Sequence, residues 1–189
     1  DASAVVIGPG LSTSDEAKHT VRYLLGKLDV SICLDADGLN LLADNPSWWD
    51  DVHAPLVLTP HPKEMARLTG ASVDEVQRDR VAMALQLSVA RQCTVVLKGA
   101  GTVIADPDGA VSVIDAGNPG MAVGGTGDVL AGIIGSLLAQ GLAPGDAARS
   151  GALLHACAGD EAARTHGEAG LRPTDLIEAM GPLFVLWNR

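Results

Sequence analysis

Residues 55–70, PLVLTPHPKEMARLTG, decide how this chain is read. The stretch begins with an apolar, β-rich run, passes through a proline-flanked histidine, and continues with apolar residues at helical spacing up to Gly70, where a left-handed C-cap belongs. Strand, short loop and helix make one βα unit. Upstream, AVVI at 4–7 is a strand ended by GPG, and Ser12 to Ser14 offer N-caps to a helix with Ala17, Val21, Leu24, Leu25 and Leu28 on one face. VSICLD at 30–35 is a buried strand, followed by ADGLNLLAD as a short helix carrying Leu39, Leu41 and Leu42.

Downstream, 72–92 is predicted as the longest helix, starting near Ser72 or Asp74 and burying Val73, Val76, Val81, Ala84, Leu85 and Ser88. TVVLKG is the next strand. TVIADPDGAVSVI places two β-rich arms around Pro107-Asp108-Gly109 and is expected to form a hairpin. Helices are then predicted over 126–140, ended by Gly141, over 145 to about 164, with Pro144 as a breaker, and from near Thr174. Alternating strands and helices with nearly continuous apolar strands define an α/β fold: a mainly parallel central sheet with helices on both faces, in three layers.

At 189 residues the chain fits one domain, 1–189. Hydrophobic residues are 47% and charged ones 19%, as in a globular protein, while 3% aromatics leave the core to aliphatics. A net charge of -10, with 13 Lys and Arg against 23 acids, excludes a nucleic-acid partner, although a small anion can be received by backbone groups. Cys33, Cys93 and Cys157 lack any CxxC or zinc spacing and are read as reduced thiols, which suggests the cytoplasm. No leader or membrane-length apolar run is visible, so a soluble chain is expected. Because DASAVVIGPG enters a strand almost at once, a fragment or processed chain is also expected.

In open α/β sheets ligands bind at the loops beyond the carboxyl ends of the strands. Those loops read GPGLS, DADGLN, TPHPKE, LKGAGT and NPGMAVGGTGD. In the last, Gly124, Gly125 and Gly127 leave backbone N–H groups accessible, and Thr126, Gly127 and Asp128 fall in the first turn of a helix, which makes an anion hole. An acid at the start of a helix often only stabilises that start. Beside an anion loop, however, Asp128 suits a general base that takes a proton from a hydroxyl attacking phosphorus. Neither GxxxxGK[ST] nor a complete dinucleotide fingerprint is present. Lys98, at a strand end before GAGT, is read as a nucleotide contact together with Thr102. His61, fixed between Pro60 and Pro62, faces the ligand side, whereas His19, His53 and His155 are read as structural. Asp35 and Asp37 suit either Mg²⁺ through water or a helix cap.

Taken in order, VIGPGL, DADGLN, LTPHPKE, VVLKGAGTVIADPDG and NPGMAVGGTGDVLAGIIGSLLAQG resemble the ADP- or ATP-dependent NAD(P)H-hydrate dehydratases. This is a ribokinase-like family, also found as the C-terminal domain of bifunctional NAD(P)H-repair enzymes. The resemblance implies dehydration of the S-epimer of NADH or NADPH hydrate, by phosphorylation of its hydroxyl from ADP (the bacterial habit) or ATP, with Mg²⁺, and elimination of phosphate. It implies Asp128 as the catalytic residue at the hydrate hydroxyl, Gly10 and His61 as hydrate contacts, and Gly125, Thr126 and Gly127 as the anion hole. Lys98, Gly99, Ala100, Gly101, Thr102 and Gly127 are implied around the adenine nucleotide.

The chain departs from the family pattern at Gly38, where Ala is frequent, and at Lys63, where Gly is frequent. The family's further N-terminal strands and helices, which help hold the hydrate, are expected to be missing, making this a C-terminal fragment of the domain. Expected partners are a second copy of the chain and either an epimerase domain or the missing N-terminal part. A vitamin-precursor kinase of the same fold and a non-catalytic nucleotide-binding module are the rival readings.

Overall fold

The computed structural model describes residues 2–187. The apolar runs become β1 (Ala4–Ile7), β2 (Ser31–Leu34), β3 (Leu56–Leu58) and β4 (Thr94–Leu97), followed by the hairpin arms β5 (Thr102–Ala105) and β6 (Val111–Ile114). Among the described residues they form one sheet in the order β1-β2-β3-β4-β5-β6. The first four strands run parallel, with Val6 opposite Cys33 and Cys33 opposite Val57. From β4 onward the pairing is antiparallel. The sheet is thus mainly parallel in its body and mixed at one side, because the short turn at Pro107-Asp108-Gly109 cannot return the chain in parallel.

Alternation along the strands splits the core into two layers. Ile32, Leu34, Leu58, Val95 and Leu97 face one side, against α1 (Asp15–Leu25), α2 (Ala36–Asp44), α3 (Pro62–Thr69) and the helix after them. Cys33, Val57, Val96 and Ile104 face the other, against Leu130, Ala131 and Ile134 of α6 (Thr126–Ala139) and Ala148 and Ala152 of α7 (Pro144–His166). A further helix, α8 (Pro173–Trp187), closes over Ile133 and Leu154 through Leu176 and Ala179. Fully burying one such aliphatic side chain is worth about 1.5–3 kcal/mol. Close packing of α6 depends on small residues, since any Cβ on Gly135 would collide with Val6.

The long helix expected over 72–92 is instead two: α4 (Val73–Arg78) and α5 (Arg80–Arg91). Asp79 separates them at φ -145°, ψ 80°, and its Oδ1 accepts from the N–H of Ala82 at 2.9 Å. A side chain that caps the following turn removes its own residue from the helix. The apolar stripe is reset at the break, so Val76, Ala84 and Ser88 are buried while Val73 and Val81 are 37% and 42% exposed. Pro144 is the first residue of α7 rather than a breaker before it, a position where its missing N–H costs no helical bond. Short 3-10 turns at Pro46–Asp51, Pro119–Met121 and Glu168–Gly170 had no counterpart in the sequence reading. Among the described residues no helix is long and apolar enough to cross a membrane.

Candidate active site

The loops after β1, β2, β3 and β4 meet the start of α6 at one edge of the sheet. Gly10 lies at the tip of the first loop, exposed and at φ 70°. That loop is tied to the second, because the N–H of Ser12 donates to Asp37 Oδ2 at 2.9 Å. Asp35 holds the N-cap position of α2 but makes no side-chain cap. Its Oδ1 instead accepts from Thr59 Oγ1 at 2.8 Å and from Lys98 Nζ at 2.6 Å, with Asp35 only 1% exposed. Neither aspartate therefore caps α2 with its side chain, one of the two roles their spacing left open. Gly38 is locked in by the same packing: a Cβ there would lie 2.6 Å from Leu34 Cδ1 and 3.0 Å from the Ile7 carbonyl oxygen.

His61 is the N-cap of α3. Its Nδ1 accepts from the N–H groups of Lys63 and Glu64, at 3.0 and 3.2 Å, while Glu64 Oε2 accepts from the N–H of His61 at 2.7 Å. This is a capping box with histidine where serine or threonine is usual. An accepting Nδ1 requires the neutral ring protonated at Nε2, and burial, then Lys98, hold its pKa below the ordinary value. Burial pushes the Glu64 carboxyl up, against the pull of Lys98, whose Nζ is 3.9 Å from Oε2.

Lys98 does not lie in solvent. Its ammonium sits between Asp35 and the first turn of α6: a Cβ placed on Gly127 would be 3.3 Å from Lys98 Nζ and 3.9 Å from Asp35 Oδ2. In that turn the N-cap is Gly125, at φ 96°, and it has no side chain to satisfy the first N–H groups. α1, α3, α4 and α5 are all capped by side chains at the corresponding place. The N–H groups of Gly127 and Asp128 donate to no backbone carbonyl among the described residues and can meet an anion, with the ammonium beside that turn. Thr126 is turned the other way: its hydroxyl is hydrogen-bonded to the Met121 and Val123 carbonyls at 2.8 and 2.9 Å, stapling the glycine loop to the helix. Asp128 is exposed in the same turn.

A cavity of about 520 Å³ opens beside this turn. Lys98, Gly99, Ala100, Gly101 and Thr102 line one wall, with Thr126 and Gly127 at one end. Met121, Leu130, Ala152 and Ala156 supply apolar surface, and His155 lies among them. His155 Nε2 is 2.9 Å from the Thr126 carbonyl oxygen, and burial brings its pKa down to about 4, so the ring is a neutral donor there. The sequence reading treated this histidine as structural; about three turns into α7, it ties that helix to the first turn of α6 while also lining the cavity. Gly10, His61, Gly125 and Asp128 lie outside the lining, on the neighbouring loops and at the helix start. A separate depression of about 620 Å³ lies along α1, lined by His19, Tyr23, Lys27 and Asp51 and by none of the site residues.

The helix start without a side-chain cap, the paired lysine and the cavity lie together at the strand ends of a mainly parallel sheet, in a fold shared with a ribokinase-like superfamily protein of Enterococcus faecalis. A family profile described as NAD(P)H-hydrate dehydratase matches residues 1–182, and the chain belongs to that family. It is 48% identical over 178 residues to the bifunctional NAD(P)H-hydrate repair enzyme Nnr of Moorella thermoacetica, covering 94% of this chain and 34% of that protein. It is 43% identical over 183 residues to the ADP-dependent (S)-NAD(P)H-hydrate dehydratase of Neisseria meningitidis, covering 95% of this chain and 62% of the relative. The ADP/ATP-dependent NAD(P)H-hydrate dehydratase of Bacillus subtilis, co-crystallized with ATP/Mg2+, superposes with a TM-score of 0.86 at 33% identity, over 96% of this chain and 64% of that one. The chain thus spans about a third of the length of the bifunctional relatives it matches.

Proposed function

We propose that this chain carries the nucleotide-dependent dehydration of (S)-NADH or (S)-NADPH hydrate, with ADP as phosphate donor. The observation that carries the reading is the uncapped first turn of α6, where the Gly127 and Asp128 N–H groups, Lys98 and an exposed carboxylate converge. In this reading the adenine nucleotide lies in the cavity along Lys98–Thr102, its phosphates toward Gly127. The hydrate approaches from the side of Gly10 and His61.

Asp128 then takes the proton from the hydrate's hydroxyl as that oxygen attacks the terminal phosphorus, and the nucleoside monophosphate leaves. The Gly127 and Asp128 N–H groups and Lys98 face the charge that spreads over the transferring oxygens. The C–O bond next breaks with its electron pair leaving on phosphate, the neighbouring ring carbon gives up a proton to water, and the reduced nicotinamide ring regains its double bond. No cluster of three ligating side chains exists among the described residues, which fits a Mg²⁺ held mainly by the nucleotide's own phosphates and water. Such an ion would neutralise phosphate charge when bound.

Three free thiols, two of them buried, support a cytoplasmic setting. The apolar residues exposed on α8, among them Ile177 and Phe184, support self-association. An epimerase domain is the expected partner in the bifunctional relatives.

The test is to follow the returning absorbance of the reduced nicotinamide with NADH hydrate, Mg²⁺ and ADP or ATP given separately. Asp128→Asn is expected to lower turnover by about 10²–10⁴-fold while ADP binding survives. Equal turnover in the variant would remove the general base from the reading. A phosphorylated alcohol as final product, with no free phosphate, would favour the kinase.

A further inference from the structure

Arg80 stands at the first position of α5, immediately after the Asp79 break, and its side chain reaches the loop after β4. One guanidinium nitrogen, Nη2, donates to the Leu97 carbonyl at 2.9 Å and to the Gly101 carbonyl at 3.3 Å, bridging the two ends of the segment Lys98–Gly101. Nη1 donates to Gln77 Oε1 at 2.9 Å, on the last turn of α4. The plane of the group lies under Gly99: a Cβ there would be 3.0 Å from Nη1, 3.1 Å from Nη2 and 3.3 Å from the central carbon. Gly99 is at φ 146°, so both the backbone angle and the guanidinium beneath it require glycine. Arg80 Nε is buried without a hydrogen-bond partner, the cost of bringing this side chain inside.

That cost has no return in the core, because Arg80 pairs with no carboxylate among the described residues and its bonds go to a loop whose residues line the cavity. We infer that Arg80 is the positioning residue of the nucleotide loop. Its planar fork holds Lys98–Gly101 in the single conformation that turns the Gly99–Thr102 backbone toward the nucleotide. This inference rests on the nucleotide reading of that loop given above. The helix break sets Arg80 at the first position of a new helix, from which its side chain reaches the carbonyl of Leu97 at the end of β4.

Arg80→Lys keeps the charge and removes the fork, so it separates shape from electrostatics. ADP binding by calorimetry is expected to weaken about tenfold. The KM for ADP should rise in parallel, while the KM for the hydrate and kcat at saturating ADP stay within about twofold. Amide hydrogen exchange should quicken in the peptide holding 98–102 and nowhere else at the sheet edge. Arg80→Met should behave like the lysine variant, since charge alone does not rescue the loop. Unchanged ADP affinity in Arg80→Lys, or a loss falling equally on the KM for the hydrate, overturns the assignment. If the unaltered protein binds no ADP, the nucleotide reading itself fails; loop exchange then decides, unchanged exchange in Arg80→Lys overturning the positioning role and faster exchange supporting it.

Discussion

Asp35 and Lys98 are 63 positions apart in sequence and 2.6 Å apart in space, in a pocket where the carboxylate is almost wholly shielded. Removing one member leaves the other charge without its closest partner, which costs about 3–5 kcal/mol when a pair is buried. Asp35→Asn should therefore lower the denaturant midpoint clearly, and Lys98→Met likewise. The double variant should lose less than the sum, because each single change already breaks the shared contact. Additive losses would mean that the pair is incidental. His155 gives a second expectation at this scale. Its folded pKa, about 4, lies below the ordinary value of 6.5, so the unfolded chain binds more protons between those limits. Stability must then rise with pH from about 4 to 6.5 and lose this contribution as pH falls through that window, by on the order of 3 kcal/mol in full. Glu64, raised by burial, works in the opposite direction, and Lys98 faces both groups. The quantity to measure is thus the difference in Tm between the unaltered protein and His155→Gln, which should widen as pH rises from 4 to 6.5 and stay level above it.

At the scale of elements, α6 starts without a side-chain cap, at a glycine held left-handed. Gly125→Ala would force an L side chain to φ 96° and set its Cβ 3.0 Å from Pro173 Cγ. A loss of about 1–2 kcal/mol of stability is expected, with weaker ADP binding, read from urea melts and calorimetry. Full retention of ADP affinity would show that the helix start is not where the anion sits. This element was largely legible before any coordinates: its glycines, its acid and its apolar run fix a loop leading into a helix at Thr126, and the βα rhythm places that helix beyond the strand ends. What could not be read was which groups point where. The Thr126 side chain is an example: its hydroxyl finds two carbonyls within five residues and turns inward, stapling the loop whose backbone was read as the anion hole. His61 also caps α3, a role its spacing to Glu64 signals as a capping box, and one obscured because the acceptor is imidazole. The break at Asp79 was missed for a related reason, since an aspartate side chain that caps the following turn competes with helix continuation and the sequence alone does not show which wins.

For the molecule as a whole, the sheet order β1-β2-β3-β4-β5-β6 brings the site together; hydrophobic periodicity identifies the strands and helices but leaves their order to the structure. Pairing across it, such as Asp35 with Lys98 or Arg80 with Leu97 and Gly101, depends on contacts between strands far apart in sequence and so leaves no local trace. The candidate site draws on loops after β2, β3 and β4 and on α6 and α7, which together contact nearly every part of the core. A ligand there binds only when those elements are assembled, so its binding energy is added to the stability of the entire fold. At an ADP concentration one hundred times Kd, that addition is about 2.7 kcal/mol. For chains of 150–250 residues each kcal/mol moves Tm by about 2–4 °C, so saturating ADP should raise Tm by about 5–10 °C. Asp128→Asn should show the same rise, because the carboxylate acts on the hydroxyl and not on the nucleotide, whereas Arg80→Lys should show less at equal ADP. A differential scanning measurement on the three proteins decides it: a loop transition that shifts with ADP while the main melt stays fixed would mean that the nucleotide loop opens independently of the sheet.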